Sequence, residues 1–362
     1  MLHNLGIDKT VPNRAPGDLQ ARTDQRLSRI VRTLSDHSMF VVSGTKLAQE
    51  IGGTRSEIWR LVQQLRNLGV RIAGHPATGY QLEAVPDLLL PDILDPLVQG
   101  TMFRGKIHHF FRIGSTNAAG MEAAQAGEAE GTVLFAEEQT AGRGRGGHDW
   151  HSARSTGLYL SIILRPPMGP ADVLLLSLMT GIAAASAVEE LTGLKPDVRW
   201  PNDLLLSRTV YTDTGGCGTL ERKFCGILTE INAEISRVRY AVVGIGINVN
   251  QESFPRSLAE IATSLRLEGG REWSRVELAA ALLKSFDREY RLMAQPQARE
   301  QLFRRFEEAS SFTRGRRVHV DEDGGYSGTT EGLDLRGFLQ VRTDDGTLKT
   351  VISGGVRGVW DL

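Results

Sequence analysis

Near the N-terminus, apolar residues recur at intervals of three and four positions, the spacing that places them on one face of an α-helix. The first series runs from Leu27 to Leu34. A second series of apolar residues ends at a pair of glycines. A third follows from Thr54, which has Glu57 three residues later, the arrangement of a capping box. Residues 1–23 have no such period, so we expect a flexible tail followed by three helices.

Two short alternating segments, at 70–72 and 80–82, follow the third predicted helix and are separated by a glycine-containing turn. The order of helix, short helix, glycine turn, helix and hairpin predicts a winged helix-turn-helix domain over 24–84. In that motif the second helix of the pair lies in the DNA major groove. The side chains on its outward face, which suit phosphates and base edges, are Thr54, Arg55, Ser56, Trp59, Arg60 and Gln63. The alternative is a three-helix module whose basic face is solvated or binds a protein.

The rest of the chain mixes strand-like and helix-like patterns. An apolar, acidic stretch over 85–102 predicts a linker. Over 103–310, strands joined by turns and accompanied by helices predict a mixed or antiparallel sheet. Over 311–362, short alternating segments separated by turns with aspartate and glycine predict a small SH3-like β-barrel. The expected fold class is therefore α+β, with an N-terminal winged helix-turn-helix, a central mixed-sheet domain with flanking helices, and a C-terminal SH3-like barrel.

Composition places the chain among ordinary globular proteins. Its 362 residues suit two or three domains, and 41% apolar with 23% charged residues exclude a mainly disordered or collagenous chain. The net charge of −1 argues against wholesale coating of nucleic acid. Charge is nevertheless segregated, because residues 22–83 hold nine Lys and Arg against five Asp and Glu. This local positive charge favours DNA binding by the N-terminal domain.

Cysteine content and hydropathy bear on the cellular compartment. Cys217 and Cys225 are the only cysteines, too few for a disulfide framework and without the close-spaced pairs of a structural zinc site. No uninterrupted run of about 18 apolar residues is present, and the N-terminus lacks an apolar signal core. We therefore expect a cytoplasmic protein with no membrane segment and no metal held by the protein itself.

The segment 142–147, here called the glycine-arginine loop, satisfies the pattern G-x-G-x-x-G. A dinucleotide site needs a helix directly after these glycines, whereas a strand is predicted next. The lysine of a phosphate loop is also missing. A flexible loop with two arginines, Arg143 and Arg145, instead suits an acyl phosphate or nucleotide phosphate that is enclosed and later released. The alternative is a solvent-exposed turn, which the flanking Gln139 and Trp150 disfavour because they suit a polar ring and a stacked base.

Four further stretches place polar or flexible residues beside predicted strands and helices. They are Ser115-Thr116-Asn117, Arg199-Trp200-Pro201-Asn202-Asp203, Lys223 to Leu228, and Gly244 to Asn248. Proline and two polar groups inside a strand are unusual for a core and suit the edge of a ligand or metal site. Each stretch alone also has a structural alternative; the first is an ordinary helix N-cap.

Taken together and in this order, the motifs resemble those of the biotin protein ligases. With the N-terminal domain they resemble the bifunctional ligases that also repress biotin-synthesis genes, from about residue 24 to near the C-terminus. The resemblance implies that the protein joins biotin to ATP, giving biotinyl-5′-adenylate and pyrophosphate, and passes biotin to a lysine of a carboxylase's biotin carboxyl carrier domain. It also implies binding to biotin-operon DNA and homodimerisation when the adenylate is bound.

The resemblance implies roles for individual residues as well. The catalytic roles fall to Arg145, Lys223 and Asp203. The residues implied for biotin are Ser115, Thr116, Asn117, Gln139, Gly142, Arg143, Gly144, Arg145, Lys223 and Gly226. Those implied for ATP are Arg143, Arg145, Trp150, Asn202, Lys223 and Asn248. Mg²⁺ is expected to be bound largely through ATP oxygens.

The chain departs from the family pattern at several places. Gly146 stands where a third arginine is common, Arg199 replaces a lysine, and residues 207–222 form an inserted, hairpin-like stretch. The segment 353–358 lacks an acidic residue that is often found there. These departures leave a second hypothesis open, a metabolite-sensing transcription factor that binds biotin or its adenylate without efficient ligation.

Overall fold

The computed structural model describes residues 16–75, 78–84, 87–211, 217–352 and 355–358. The chain forms two compact units, Met1–Pro86 and Asp87–Leu362. The boundary between them falls within the stretch 85–102 that the sequence suggests as a linker.

The described residues of the N-terminal unit form three helices and a hairpin. They are α1 (Pro16–Asp36), α2 (Gly44–Ile51), α3 (Arg55–Asn67), β1 (Ile72–His75) and β2 (Gly79–Leu82). Apolar side chains on the facing sides of the helices, among them Ile30, Leu47 and Ile58, are buried. The two strands pair antiparallel, and Val42 adds an isolated bridge to Tyr80. The predicted helix-turn-helix with a short wing is therefore present.

Helix α1 begins earlier than the apolar pattern predicts. Residues 16–23, which we expected in the tail, are helical. The remainder of the predicted tail, 1–15, lies outside the described residues. An apolar period detects only those helical turns that carry a regular apolar face, and a proline such as Pro16 is compatible with a helical first turn because its missing N–H has no partner there.

The predicted cap of α3 is present in both of its parts. The Thr54 hydroxyl accepts a hydrogen bond from the backbone N–H of Glu57 at 3.3 Å, and the Glu57 carboxylate accepts one from the backbone N–H of Thr54 at 2.8 Å. These reciprocal bonds satisfy donors that the first turn of a helix leaves unpaired. The beginning of α3 is therefore fixed by local sequence.

Within the described residues, the larger unit contains two sheets and six helices, numbered in chain order. The helices are α4 (Pro91–Leu94), α5 (Thr116–Gln125), α6 (Leu174–Thr192), α7 (Leu265–Gly269), α8 (Arg275–Leu292) and α9 (Ala298–Glu308). The strands of the first sheet are β3 (Ile107–Phe110), β4 (Val133–Ala136), β5 (Gly157–Leu164), β6 (Asp197–Arg199), β7 (Asp203–Tyr211), β8 (Cys217–Ala233) and β9 (Val238–Asn248). Those of the second sheet are β10 (Arg314–Val320), β11 (Tyr326–Leu333), β12 (Leu339–Thr343), β13 (Leu348–Val351) and β14 (Val356–Gly358).

The first sheet has the order β3-β4-β5-β9-β8-β7-β6, with β3 and β4 parallel and the other pairs antiparallel. Helix α5 packs on one face against Leu134, Ile163 and Val242, and the long helices α6 and α8 belong to the larger core on the other face. The second sheet is antiparallel, in the order β13-β12-β11-β10-β14. The predicted α+β class, mixed central sheet and C-terminal β domain are confirmed.

Helix α6 is the most apolar helix of this core. In the described residues, the segment Pro170–Thr192 is the one helix long and apolar enough to cross a membrane, with a mean hydropathy of 1.8. Buried positions account for 72% of that window. Central helices of globular cores share this composition because they are covered on most sides.

The predicted linker is wrong for residues 87–102, which belong to the larger unit. Leu89, Leu94 and Val98 are fully buried in its core. The backbone N–H of Leu89 also donates to the carboxylate of Glu137 at 3.0 Å. The apolar residues of this stretch are thus core residues, and the acidic ones form specific contacts, which composition alone does not distinguish from a linker.

A buried charge network ties this segment to the sheet. Arg275, only 1% exposed at the first turn of α8, donates to Glu137 at 2.7 Å and to Asp87 at 2.9 Å. His109 on β3 lies 3.2 Å from the same Glu137 carboxylate. Burial would raise the pKa of Glu137, but the charge of Arg275 and the bond to His109 outweigh it and lower the pKa to about 2. Glu137 is therefore ionised and directly precedes the loop that leads into the site.

Candidate active site

A cavity lies where the beginning of α5, the glycine-arginine loop and strands β8 and β9 meet. Predicted site residues that line it are Ser115, Thr116, Asn117, Gln139, Arg143, Gly144, Arg145, Trp150, Asn202, Lys223 and Gly226. The remaining lining residues are Leu160, Ile227, Leu228, Gly244, Ile245 and Gly246. Motifs that lie far apart in sequence therefore converge on one pocket. Three predicted residues, Gly142, Asp203 and Asn248, do not line it.

The beginning of α5 supplies one polar wall of the cavity. Ser115 is the N-cap of this helix, and its hydroxyl accepts from the backbone N–H of Ala118 at 3.4 Å. The side-chain carbonyl of Gln139 accepts from both the backbone N–H and the hydroxyl of Thr116, at 2.8 and 3.1 Å, while its amide donates to Ser152 at 2.9 Å. The N-cap interpretation is thus correct, and it coexists with a polar cluster suited to a ring carrying both donors and acceptors.

Ser161, which no sequence motif indicates, supports this wall through its hydroxyl. Its hydroxyl, fully buried on β5, lies 2.8 Å from the Thr116 hydroxyl and 2.6 Å from the side-chain carbonyl of Asn117. The amide of Asn117 in turn donates to Leu228 at 3.2 Å and to Glu230 at 2.9 Å. Asn117 therefore supports the wall more than it offers groups to a ligand. Ser161 is a lone polar residue in an otherwise apolar strand, and a buried polar group of this kind needs a hydrogen-bond partner.

Glycines of strands β8 and β9 form the floor of the cavity. Gly226 on β8 and Gly246 on β9 are register partners, and the Trp150 indole lies against them so closely that a Cβ at Gly226 would stand 2.8 Å from its ring. A Cβ at Gly244 would overlap the Asn117 side chain. Among the described residues, the buried Trp150 Nε1 has no hydrogen-bond partner. Glycine is therefore required here for close approach of side chains to the sheet.

Lys223 brings a positive charge to the edge of this floor. Its ammonium lies 2.6 Å from Asp203 and 5.4 Å from the centre of the Trp150 ring. Asp203 is the first residue of β7, directly after the turn that contains Asn202 and separates β6 from β7. Asn202 donates to the carbonyl of Ile227 at 2.9 Å, which fixes the turn against β8. Asp203 thus does not line the cavity itself but contacts the lining residue Lys223.

The glycine-arginine loop connects β4 to β5, as the strand-to-strand interpretation predicts. Its backbone is closed by Gly144 donating to the carbonyl of His148 at 2.6 Å and by Trp150 donating to the carbonyl of Gly142 at 2.9 Å. Gly146 has φ of 69°, a left-handed conformation that favours glycine. Arg143 lies 3.7 Å from the carboxylate of Glu230. The loop therefore has a definite shape and presents arginines to the cavity.

Two predicted site residues lie outside the lining of the cavity. Asn248 is 4% exposed, and its amide group donates to the carbonyl of Thr263 at 3.0 Å while its carbonyl accepts from Gln251 at 3.3 Å. Both polar atoms of its side chain therefore take part in hydrogen bonds at the end of β9, and its contact with the nucleotide stays a prediction. At Gly142 a Cβ would meet the Trp150 carbonyl at 2.6 Å, so this position requires glycine. Its contact with biotin stays a prediction.

The predicted DNA-binding residues belong to the N-terminal unit. Exposed positions at the beginning and outward face of α3 are Thr54, Arg55, Ser56, Trp59 and Arg60, and Gln63 is half-buried. Trp59 is 56% exposed, which is unusual for so large an apolar side chain. Thr54 is also engaged in the helix cap. The face combines two cations with an aromatic ring and amide groups, the chemistry of contacts to phosphates and bases.

Three family models match the chain in succession. They are the HTH domain over 26–81, the Biotin/lipoate A/B protein ligase family over 111–248 and the Biotin protein ligase C terminal domain over 313–356. The chain is 34% identical over 265 residues to the bifunctional ligase/repressor BirA of Bacillus subtilis (strain 168), covering 72% of this chain and 77% of that protein. It is 31% identical over 316 residues to the protein of the same name from Escherichia coli (strain K12), covering 87% and 92%.

A solved structure supports the same relationship. The biotin protein ligase from Aquifex aeolicus, in complex with biotin and ATP, matches with a TM-score of 0.58 and 27% identity, covering 70% of this chain and 99% of that chain. A helix-turn-helix unit followed by a ligase sheet and a C-terminal β domain defines the class of bifunctional ligase and repressor. The chain belongs to the biotin protein ligase family.

Proposed function

We propose that the protein is an ATP-dependent biotin protein ligase and a biotin-responsive repressor, in which the cavity described above carries the ligase reaction. The observation that carries the proposal is the convergence of Arg143, Arg145 and Lys223 on a pocket with a polar wall and a glycine floor. Bringing a carboxylate to a triphosphate sets anion against anion, and these cations can neutralise that approach.

The first step joins biotin to the nucleotide. A carboxylate oxygen of biotin attacks the α-phosphorus of ATP, a new P–O bond forms, and the bond to the β-phosphate breaks, which releases pyrophosphate. We assign charge neutralisation in this step to Arg143, Arg145 and Lys223, with Asp203 as a positioning residue that holds the Lys223 ammonium through their 2.6 Å contact. The charge developing on the phosphate oxygens strengthens these contacts most in the transition state.

In the second step the amine of a carrier lysine attacks the acyl carbon of the adenylate. An amide bond forms, AMP leaves with the electron pair of the broken C–O bond, and the amine loses a proton. The mixed anhydride must be protected from water between the two steps. We assign that protection to the glycine-arginine loop, because its length and glycines allow it to cover the ligand and its arginines contact the cavity.

The remaining residues hold the two substrates in place. We assign the ureido ring of biotin to the wall formed by Ser115, Thr116 and Gln139, where hydroxyl and amide groups are already oriented by one another. We assign the adenine to Trp150, because its indole lines the cavity and offers a ring for stacking. These polar groups are oriented in advance, which lowers the entropy cost of binding.

Mg²⁺ enters this proposal with ATP. No group of three or more His, Cys, Asp or Glu side chains suited to a metal stands together in the described part of the chain. Of the carboxylates beside the cavity, Asp203 contacts Lys223, and Glu230 contacts Asn117 and Arg143. A metal held mainly by phosphate oxygens and water is the usual arrangement for Mg²⁺ at nucleotide sites. When bound, it would supply additional neutralisation of the triphosphate.

For the repressor activity, we propose that α3 enters the major groove of biotin-operon DNA and that the adenylate promotes homodimerisation. A ligand that favours the dimer would raise DNA affinity by linkage, since a dimer presents two recognition helices. The carrier domain of a carboxylase is the proposed partner in the ligase reaction. Action in the cytoplasm stays a prediction.

The ligase proposal is tested with the purified full-length chain, biotin, ATP, Mg²⁺ and a carrier domain. Mass spectrometry should show the adenylate first, and then a mass increase on a single carrier lysine. A folded preparation that binds biotin and forms neither product would contradict the ligase assignment. Adenylate formation without transfer to any carrier would instead favour the metabolite-sensing transcription factor.

A further inference from the structure

Glu230, on β8, occupies a position between the polar wall and the loop. One of its carboxylate oxygens accepts from the Asn117 amide at 2.9 Å, and the other lies 3.7 Å from the guanidinium of Arg143. Asn117 is itself held by Ser161 and by the carbonyl of Leu228. One oxygen of the carboxylate is thus held by the buried Asn117 side chain, and the other lies near the Arg143 cation of the cavity.

We propose that Glu230 is an affinity-determining residue, whose carboxylate pairs with Arg143 and competes with the anionic group of the ligand for the Arg143 guanidinium. This inference rests on the proposed function, because it takes the ligand to be an acyl phosphate. Binding of the ligand then exchanges one anionic partner of Arg143 for another. Glu230 therefore limits the affinity of the protein for its anionic intermediate.

The geometry suits such an exchange. The side chains of Arg143 and Glu230 are 49% and 30% exposed, and their 3.7 Å separation is that of an ion pair without a short hydrogen bond. Exposed pairs of this kind are weak and are screened by salt. A ligand phosphate in a more enclosed position can therefore displace the carboxylate. The Asn117 bond keeps Glu230 in place, so that the carboxylate is available to recapture Arg143 when the ligand leaves.

The competition predicts which ligands respond to Glu230. Removing its charge leaves Arg143 without this partner, so the affinity for an anionic ligand rises. A neutral ligand that uses only the polar wall gains nothing. A residue that merely supported the fold would instead change both affinities together, which makes the difference between the two ligands the informative quantity.

The test uses the full-length chain and Glu230→Gln, which preserves a carbonyl for the Asn117 bond. Isothermal titration measures binding of the phosphodiester analogue of biotinyl-5′-adenylate and of neutral biotinamide. We expect the phosphodiester to bind about two- to fivefold tighter to the variant, the range set by the strength of exposed ion pairs. Biotinamide affinity should not change, and the gain should shrink as ionic strength rises.

Two comparisons make the result specific. In an Arg143→Gln background the Glu230→Gln change should have no effect on either ligand, because the cation that mediates it is gone. Glu138→Gln is the matched control: Glu138 is a neighbouring acid that pairs with Arg154 at 2.8 Å and Arg112 at 3.3 Å, neither of which lines the cavity. It should leave the ratio of the two affinities unchanged.

The outcomes separate this inference from the ligase proposal. Unchanged or weaker binding of the phosphodiester by Glu230→Gln would overturn the competition, as would an equal gain in the Arg143→Gln background. If Glu230→Gln does not fold, Glu230→Asp, which retains the charge at a greater distance from Arg143, should show a smaller shift of the same sign. Failure of the wild-type chain to bind biotin at all would count against the ligase proposal itself.

Discussion

Gly226 and Gly246 face each other across β8 and β9, and the Trp150 indole lies against both of them. Neither glycine has a left-handed backbone, so what they provide is space. The Trp150 ring, to which adenine is assigned, can therefore take this position because Gly226 and Gly246 have no side chains. Larger residues at either position would displace the ring.

The first prediction concerns Gly246→Ala. The added Cβ would overlap the Trp150 indole, and overpacking of this kind costs about 1–3 kcal/mol, which corresponds to about a 5- to 150-fold loss of affinity for the adenylate analogue if the ring moves to relieve it. Titration of the variant with the analogue measures the loss. Gly114→Ala serves as the control, because a Cβ there meets nothing within 4 Å. Equal affinities in the two variants would refute the assignment of the indole to the nucleotide.

The second prediction concerns Lys223→Gln. The rate of adenylate formation should fall by about 10²–10³-fold, the usual effect of removing one group that stabilises developing charge. Thermal stability should change little, because the Lys223 side chain is 36% exposed. Stopped-flow measurement of pyrophosphate release gives the rate. The exposed Lys195→Gln variant should retain the wild-type rate, and a comparable loss there would point to a general charge effect.

The third prediction concerns the buried network of Glu137 and Arg275. Glu137→Gln leaves the 1% exposed guanidinium of Arg275 with one carboxylate fewer, and breaking a buried pair costs about 3–5 kcal/mol in the free energy of unfolding. Urea denaturation at neutral pH measures this loss. Glu331→Gln, which removes one partner of an exposed ion pair with Arg342, should change stability far less.

The same carboxylate predicts a pH dependence. The pKa of Glu137 is lowered from 4.5 to about 2, so the folded state binds its proton more weakly than the unfolded state. The stabilisation is therefore complete above about pH 4.5 and is lost as the pH falls toward 2. Glu137→Gln should flatten this part of the profile of unfolding free energy against pH. An unchanged acid slope would contradict the lowered pKa.

The fourth prediction separates the two activities. Arg60→Gln, on the exposed face of α3, should weaken binding to biotin-operon DNA and reduce the slope of log affinity against log salt by about 1 per chain. Adenylate formation should remain at the wild-type rate because the ligase cavity lies in the other unit. Mobility-shift assays over a salt series provide the measurement. Arg29→Gln, an exposed arginine on α1, is the control, and an equal effect there would argue against α3 as the recognition helix.

The features predicted well from sequence are those set by neighbouring residues. The Thr54 and Glu57 cap lies within one helical turn, and its chemistry fixes the beginning of α3 wherever the helix packs. The loop and its arginines were found because six consecutive residues carry the pattern. A dinucleotide site was excluded because a strand was predicted after the glycines, and the loop does lead from β4 to β5.

The features that were missed depend on strand order. Arg275 and Glu137 are 138 positions apart, and nothing local indicates that a helix and a strand end will bury their charges together. The bonds of the Asn248 side chain to Thr263 and Gln251 form only once the chain after β9 folds back, and no local pattern indicates them. Pairing of distant strands decides which face a residue meets, and periodicity alone does not supply that pairing.

The contact between Arg275 and Asp87 also determines where the ligase unit can be cut from the chain. A fragment starting at residue 103, the boundary that the pattern predicts, would lack Asp87 and the buried Leu89, Leu94 and Val98. A fragment starting at Asp87 keeps them all. We expect only the longer version to be obtained as a stable, monodisperse protein, so a minimal ligase for engineering should begin at the first residue after the DNA-binding unit.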